Sequence, residues 1–222
     1  MRKFEEILSV LTIITIALFI ITFADTIVYR SSGVYSYYFN DTRVIDELHT
    51  NISSGEIAEK IASYFNSSDN EIFRLMENTG YDMEDIFTED EGRNMLKVKK
   101  FFDAEGLICG GSFLATFAIY FHLIRENRKK LLSSCYKLSV PISLALIGLK
   151  AWILISGKYA ELGMKALGLV ELPADSYLRH VLGPEFVAMS GKFNLVIAIA
   201  IFLAVTYICL RVSRQQKLFF RG

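Results

Sequence analysis

Cysteine, proline, histidine and tryptophan are all scarce in this 222-residue chain, with 3, 3, 3 and 1 copies. The three cysteines, Cys109, Cys135 and Cys209, have no close spacing, which excludes a disulfide framework and a C-x-x-C zinc or redox site. They read as small apolar residues. No H-E-x-x-H or G-x-x-x-x-G-K-[ST] pattern is present, so metalloprotease and P-loop readings fall away and neither a metal nor a cofactor is expected. Formal net charge is zero and there is no basic domain, which argues against a nucleic-acid partner. No internal repeat or low-complexity tract occurs.

What is abundant is apolar surface. Hydrophobic residues make up 52% of the chain and mean hydropathy is +0.35, unusually high for a water-soluble domain. Four runs carry it: Ile7 to Val28, Leu107 to Ile124, Leu138 to Ser156 and Phe193 to Leu210. Each fits the roughly 17–25 residues that a helix needs to cross a bilayer core. The first run follows Arg2 and Lys3 but is too long for a signal-peptide core and has no small-x-small cleavage site, so it reads as a retained helix. The expected fold is therefore all-α, an integral membrane four-helix bundle with a small helical extracytoplasmic cap.

The charges are sorted along the chain. Three segments lie on one side if all four helices span: the N-terminus, the turn from Arg125 to Lys137, and the tail from Arg211. Together they hold eleven basic residues against three acidic ones, Glu5, Glu6 and Glu126. The rest of the chain holds 13 basic and 21 acidic residues. By the positive-inside rule both termini are cytoplasmic in a multi-pass plasma-membrane protein. The expected partition is helix 1 at 1–28, an outer domain at 29–106, helix 2 at 107–124, a basic turn at 125–137 and helix 3 at 138–156. A second outer loop at 157–192, helix 4 at 193–210 and a basic tail at 211–222 complete it.

In the first outer segment, Ser53-Ser54-Gly55-Glu56 is a capping box followed by Ile57, Ile61 and Tyr64 at helical spacing. Asp69 is placed to cap a second short helix with Ile72, Phe73 and Met76 on one face. Thr88-Glu89-Asp90-Glu91 is another capping box, and its helix leads into the second span. In the second outer segment a helix is expected at 158–167, and Asp175 is placed to cap a short helix through His180. Tyr29, Tyr35, Tyr37, Tyr38 and Phe39 read as an aromatic belt at headgroup level. Sequons at Asn40, Asn51 and Asn66 read as chance matches in a polar loop.

Asp25 and Lys150 are the ionisable residues inside spans, at matched outer depth; they pair, or each snorkels to the interface. His180, in Arg179-His180-Val181-Leu182-Gly183-Pro184-Glu185, is a general-base type of residue close to helix 4, although packing alone accounts for an isolated histidine. His122 reads as interfacial and His49 as solvated.

The order of parts resembles the bacterial lipoprotein intramolecular transacylases, a family of four-helix membrane proteins. The likeness runs from Val34-Tyr35-Ser36-Tyr37-Tyr38-Phe39 through Ile52-Ser53-Ser54-Gly55-Glu56-Ile57 and Tyr64-Phe65-Asn66. It is strongest from Phe87 to Phe102, which resembles F-N-E-R-E-x-x-H-M-x-D-V-K-x-L-F. Asp175 through Pro184-Glu185-Phe186 resembles D-x-L-I-x-x-L-P-E-x-F with a small insertion. The resemblance implies transfer of an acyl chain from a lipoprotein's glycerol ester to its N-terminal amine, with two outer-loop histidines supplying the chemistry. Here Asn94 stands at the first histidine position, Lys97 at the motif's aspartate, and Tyr159 nearest the second histidine. Two readings follow. One is a divergent or non-catalytic relative that binds a membrane lipid, a lipoprotein or another membrane protein. The other is an active acyltransferase, whose candidate catalytic residues are Asn94, Tyr159 and His180, with Lys150 a further possibility. Candidate binding residues are Asp25, Lys97, Lys150 and Glu185.

Overall fold

A computed structural model describes residues 2–42, 44–47, 50–78, 83–170, 172–173 and 175–213. His49 and the basic residues Arg214, Lys217 and Arg221 lie outside them. The order is α1 (Arg2–Arg30), α2 (Ser32–Thr42), α3 (Val44–Glu47), α4 (Ser54–Asn66), β1 (Met76–Asn78) and β2 (Met83–Asp85). It continues with α5 (Glu89–Arg125), α6 (Lys129–Ile155), α7 (Tyr159–Ala166), α8 (Tyr177–Val181) and α9 (Pro184–Ser213). Helices α1, α5, α6 and α9 contain stretches long and apolar enough to cross a membrane. The chain divides into two compact units, one of residues 1–24, 107–150 and 195–222, the other of 25–106 and 151–194.

The first unit is the apolar one. Ile16, Ile20, Ala24, Tyr136, Ile147, Ala198 and Cys209 pack inside it, and Ile119, Leu123 and Leu132 form a second small cluster. The hydroxyl of Thr116 donates to that of Thr15 at 2.9 Å, Tyr136 donates to Thr206, and the Cys209 thiol bonds the Tyr120 hydroxyl at 3.4 Å. Outward it presents Phe113, Leu114, Phe117 and Phe121 on α5 and Val196 and Leu203 on α9, all more than half exposed. An apolar exterior of this kind is matched to lipid rather than water.

The second unit has a conventional buried core. Tyr35, Phe39, Ile57, Ile61, Phe65, Leu75, Met95 and Phe186 are all 0–1% exposed. Tyr35 stacks on Phe186 at 5.0 Å, and Phe65 meets Phe102 edge-on at 5.2 Å. The aromatic run after α1 is thus core rather than a headgroup belt. Tyr35, Tyr38 and Phe39 recur at helical spacing on α2 and face inward, and Tyr37 alone of the four is exposed. In α4, Ser53 is the N-cap and its side chain accepts from the Glu56 amide. The helix's last carbonyls are capped by cations from elsewhere in the unit: Arg30 donates to Phe65 O and buried Lys99 to Ser67 O, with Asp103 bonded to Arg30 at 2.7 Å and 3.6 Å from Lys99.

The expected second short helix is absent. Residues 69–75 form no regular secondary structure, Phe73 and Leu75 are buried while Arg74 and Met76 are exposed, and β1 and β2 pair antiparallel, Met76 with Asp85 and Asn78 with Met83. Burial alternates with period two, the strand signature, and Leu75 rather than Met76 carries the inward contact.

A candidate headgroup cleft and a buried polar cluster

The start of α5 builds one wall of a cleft. Its capping box closes in both directions: Thr88 Oγ1 accepts from the Glu91 amide at 3.3 Å, and Glu91 Oε2 accepts from the Thr88 amide at 2.8 Å. This fixes the register of Asp90, Arg93, Asn94 and Lys97, spaced i, i+3, i+4 and i+7 along one face. The other wall is Gly168, Leu172, Pro173 and Asp175 to Tyr177, and the open cleft between them has a volume of about 750 Å³. Gly168 turns the chain out of α7 with φ +68°, where its amide reaches Lys165 O and that of Leu169 reaches Met164 O.

Glu91 ties the two walls together. Besides Thr88, its carboxylate accepts from Ser176 Oγ at 2.5 Å and from the Leu178 amide at 3.1 Å, and the residue is only 6% exposed. It therefore caps the start of α8. Asp175, expected in that role, is exposed; Ser176 is the N-cap and makes no side-chain cap bond of its own. The sequence separation of 87 from Glu91 to Leu178 explains why no local pattern announces this bond.

Asn94 and Lys97 both line the cleft, and Lys97 Nζ donates to Asn94 Oδ1 at 3.1 Å. Tyr159 and Asp25 do not line it. They belong to a buried polar cluster contributed by α1, α7 and α9. The Tyr159 and Tyr29 hydroxyls are hydrogen-bonded, Ser190 Oγ donates to Tyr29 at 3.1 Å, and Asn194 Nδ2 donates to the Asp25 carboxylate. Asn194 Oδ1 has no hydrogen-bond partner among the described residues. Tyr159 fits only because Gly191 faces it: a Cβ there would come within 2.4 Å of the ring. Burial, reinforced by Tyr29 and Asp25, pushes the Tyr159 phenol far above its ordinary range. It is a hydrogen-bond donor at any physiological pH and not a base.

The remaining sequence candidates fall elsewhere. His180 is partly buried on α8, where its backbone carbonyl accepts from the Tyr38 hydroxyl at 3.1 Å. Glu185 is exposed in the first turn of α9, and Lys150 is partly buried on α6. None of these three lines the cleft. The residues that sequence reasoning missed are Glu91, Ser176, Tyr29, Ser190 and Asn194. For Glu91 a signal existed in the capping box, but it disclosed only the local half of the carboxylate's role.

Comparison with known proteins places the architecture. No protein-family model matches the chain, and no curated protein matches it in sequence. Among solved structures it is similar to the membrane integral lipoprotein intramolecular transacylase Lit from Bacillus cereus, with a TM-score of 0.70 at 12% identity, covering 95% of this chain and 98% of that one. Two variants of that protein, with a histidine replaced by arginine or by alanine, match with TM-scores of 0.69 and 0.68 at 13% and 14% identity. Both matches cover 95% of this chain, with 92% and 94% of theirs. The chain is thus a multi-pass, all-α membrane protein with the fold of these transacylase structures, at identities that fix the fold alone.

Proposed function

We propose that this protein binds a membrane lipid or lipopeptide at the outer leaflet and is a non-catalytic relative of the lipoprotein transacylases. The reading is carried by the chemistry of two residues: Asn94, which the resemblance puts at the family's first histidine, and Tyr159, the residue nearest its second, hold groups that keep their protons or have none to exchange. Asn94 is an amide engaged by Lys97, and Tyr159 is a phenol with its titration pushed far upward. Aminolysis of an ester forms an N–C bond, breaks a C–O bond and needs a base to take the amine proton. Asn94 and Tyr159 offer hydrogen bonds to a carbonyl or phosphate but no such base.

The alternative is an active acyltransferase with its base supplied by Asp25, which shares the buried cluster with Tyr159, or by His180. The test is incubation of the purified protein in nanodiscs with a diacylglyceryl lipopeptide, followed by mass spectrometry. Retention of unchanged lipopeptide supports the binding reading. Appearance of the lyso-form N-acyl product overturns it in favour of the enzyme.

The proposed orientation, both termini cytoplasmic, follows from the basic flanks. A cysteine introduced at Ser68 should react with an impermeant thiol reagent in intact cells, and one at Ser134 should not. Opposite labelling would move the cleft to the inner face.

A further inference from the structure

We infer that the cleft at the start of α5 is a receptor for a zwitterionic phosphate, a group bearing a primary ammonium beside a phosphate. The inference deepens the lipid-binding reading and rests on it. Its basis is a set of opposite charges that share one cleft and are only partly compensated: Arg93 is held by Glu89 and coupled to Asp90, whereas Lys97 and Asp175 have no opposite charge within ion-pair distance among the described residues. Lys97 engages only the neutral Asn94 amide. Among the described residues no carboxylate lies within ion-pair distance of Lys97, and no cation lies within that distance of Asp90 or Asp175.

The arrangement has direction. Lys97 and Arg93 lie one turn apart on α5, a spacing that presents two cations to one phosphate; Arg93 is also paired with Glu89, but both are solvent-exposed, so that pair is weak. Asp90 lies at the opposite end of this face, about 10 Å from Lys97 along the helix axis, and Asp175 projects from the other wall. Glu91 is committed to its four hydrogen bonds and holds the walls in register. With three carboxylates and two cations on the lining, a purely anionic headgroup meets uncompensated acids and a purely cationic one meets uncompensated bases. A ligand with both charges satisfies each end. A volume of about 750 Å³ suits such a group, and Leu172, Pro173 and Tyr177 supply the apolar part of the wall. A quaternary ammonium is disfavoured because it has no N–H to donate to Asp90 or Asp175.

The ligand chemistry has two sources, a phosphatidylethanolamine headgroup in the membrane or a free aminoalkyl phosphodiester. The test uses the full-length protein in nanodiscs of equimolar phosphatidylethanolamine, phosphatidylglycerol and phosphatidylcholine, with retained lipids counted by native mass spectrometry. Glycerophosphoethanolamine in solution is the second probe. Preferential retention of phosphatidylethanolamine by about tenfold supports a membrane source. Binding of glycerophosphoethanolamine with no lipid preference supports a soluble one. Lys97→Gln should remove the preference, and Asp90→Asn with Asp175→Asn should shift retention toward phosphatidylglycerol. All three residues are exposed, and unchanged melting of the variants will show that they fold. Equal retention of all three lipids with no binding of the soluble probe overturns the inference and leaves the lipid-binding reading standing. Retention of no lipid and no lipopeptide overturns both.

Discussion

The two units of this chain solve the same problem in opposite solvents. The unit of residues 25–106 and 151–194 hides its aromatic residues: Tyr35, Phe39, Phe65 and Phe186 are all at most 1% exposed. The unit of residues 1–24, 107–150 and 195–222 displays them, with Phe113, Phe117 and Phe121 between 52% and 61% exposed along one face of α5. In water the second arrangement would be an aggregation surface; in lipid it is neutral, and stability must come from packing and the few interhelical hydrogen bonds such as Thr116 to Thr15. Chemistry follows the same division. Both polar constellations described above, the cleft at Asn94 and the cluster at Tyr159, belong to the unit that has a water-protein type of core.

The sharpest way to break this contrast is a matched pair of substitutions. Phe65→Ala, deep in the second unit, should destabilise by about 3–5 kcal/mol. Phe117→Ala, on the lipid-facing side, should stay within about 0.5 kcal/mol in a bilayer. Thermal unfolding in nanodiscs measures both, and equal losses would mean that Phe117 packs against protein.

The tie between the cleft walls comes next. Glu91→Ala leaves the Leu178 and Thr88 amides without their acceptor, and a buried orphan of this kind costs about 1–3 kcal/mol. Proteolysis near 175–178 should accelerate while the helices of the other unit remain resistant. No change in cleavage would show that the α8 segment is held by its apolar contacts alone.

Gly191→Ala tests the buried cluster. The added methyl meets the Tyr159 ring, and overpacking of this sort costs about 1–3 kcal/mol. Tyr159→Phe should restore nothing, whereas Tyr159→Ala in the Gly191→Ala background should recover part of the loss. Simple additivity would place the ring elsewhere. The smallest effect is expected at the α4 cap, where Ser53→Ala should cost about 1 kcal/mol in the same unfolding assay.

The four apolar helices and the two capping boxes were legible because their signals are local. Composition over about 20 residues identifies a span, and a Ser or Thr three residues before a Glu identifies a helix start. The aromatic run from Tyr35 to Phe39 was ambiguous in kind: aromatics beyond the end of a span read the same whether they meet headgroups or a core. Only the i, i+3, i+4 recurrence of Tyr35, Tyr38 and Phe39 favoured the core. At 69–76 helical and strand periods competed over a short window, and the burial of Phe73 and Leu75 follows a period of two, with a strand only from Met76. The bonds from Glu91 to Ser176 and Leu178, and from Asn194 to Asp25, join residues 85 to 169 apart, a distance no pattern in the sequence encodes. Asn94, Lys97, Tyr159 and Asp25 were therefore visible as residue types, and of the partnerships only the local one between Thr88 and Glu91 was.

We propose that the fold shared with the transacylase structures is combined here with Asn94 and Tyr159, neither of which can accept a proton. The direct measurement is conversion of a diacylglyceryl lipopeptide by the wild type, followed by mass spectrometry. The account predicts no N-acyl product, with the lipopeptide retained intact. Product formation by the wild type would contradict it.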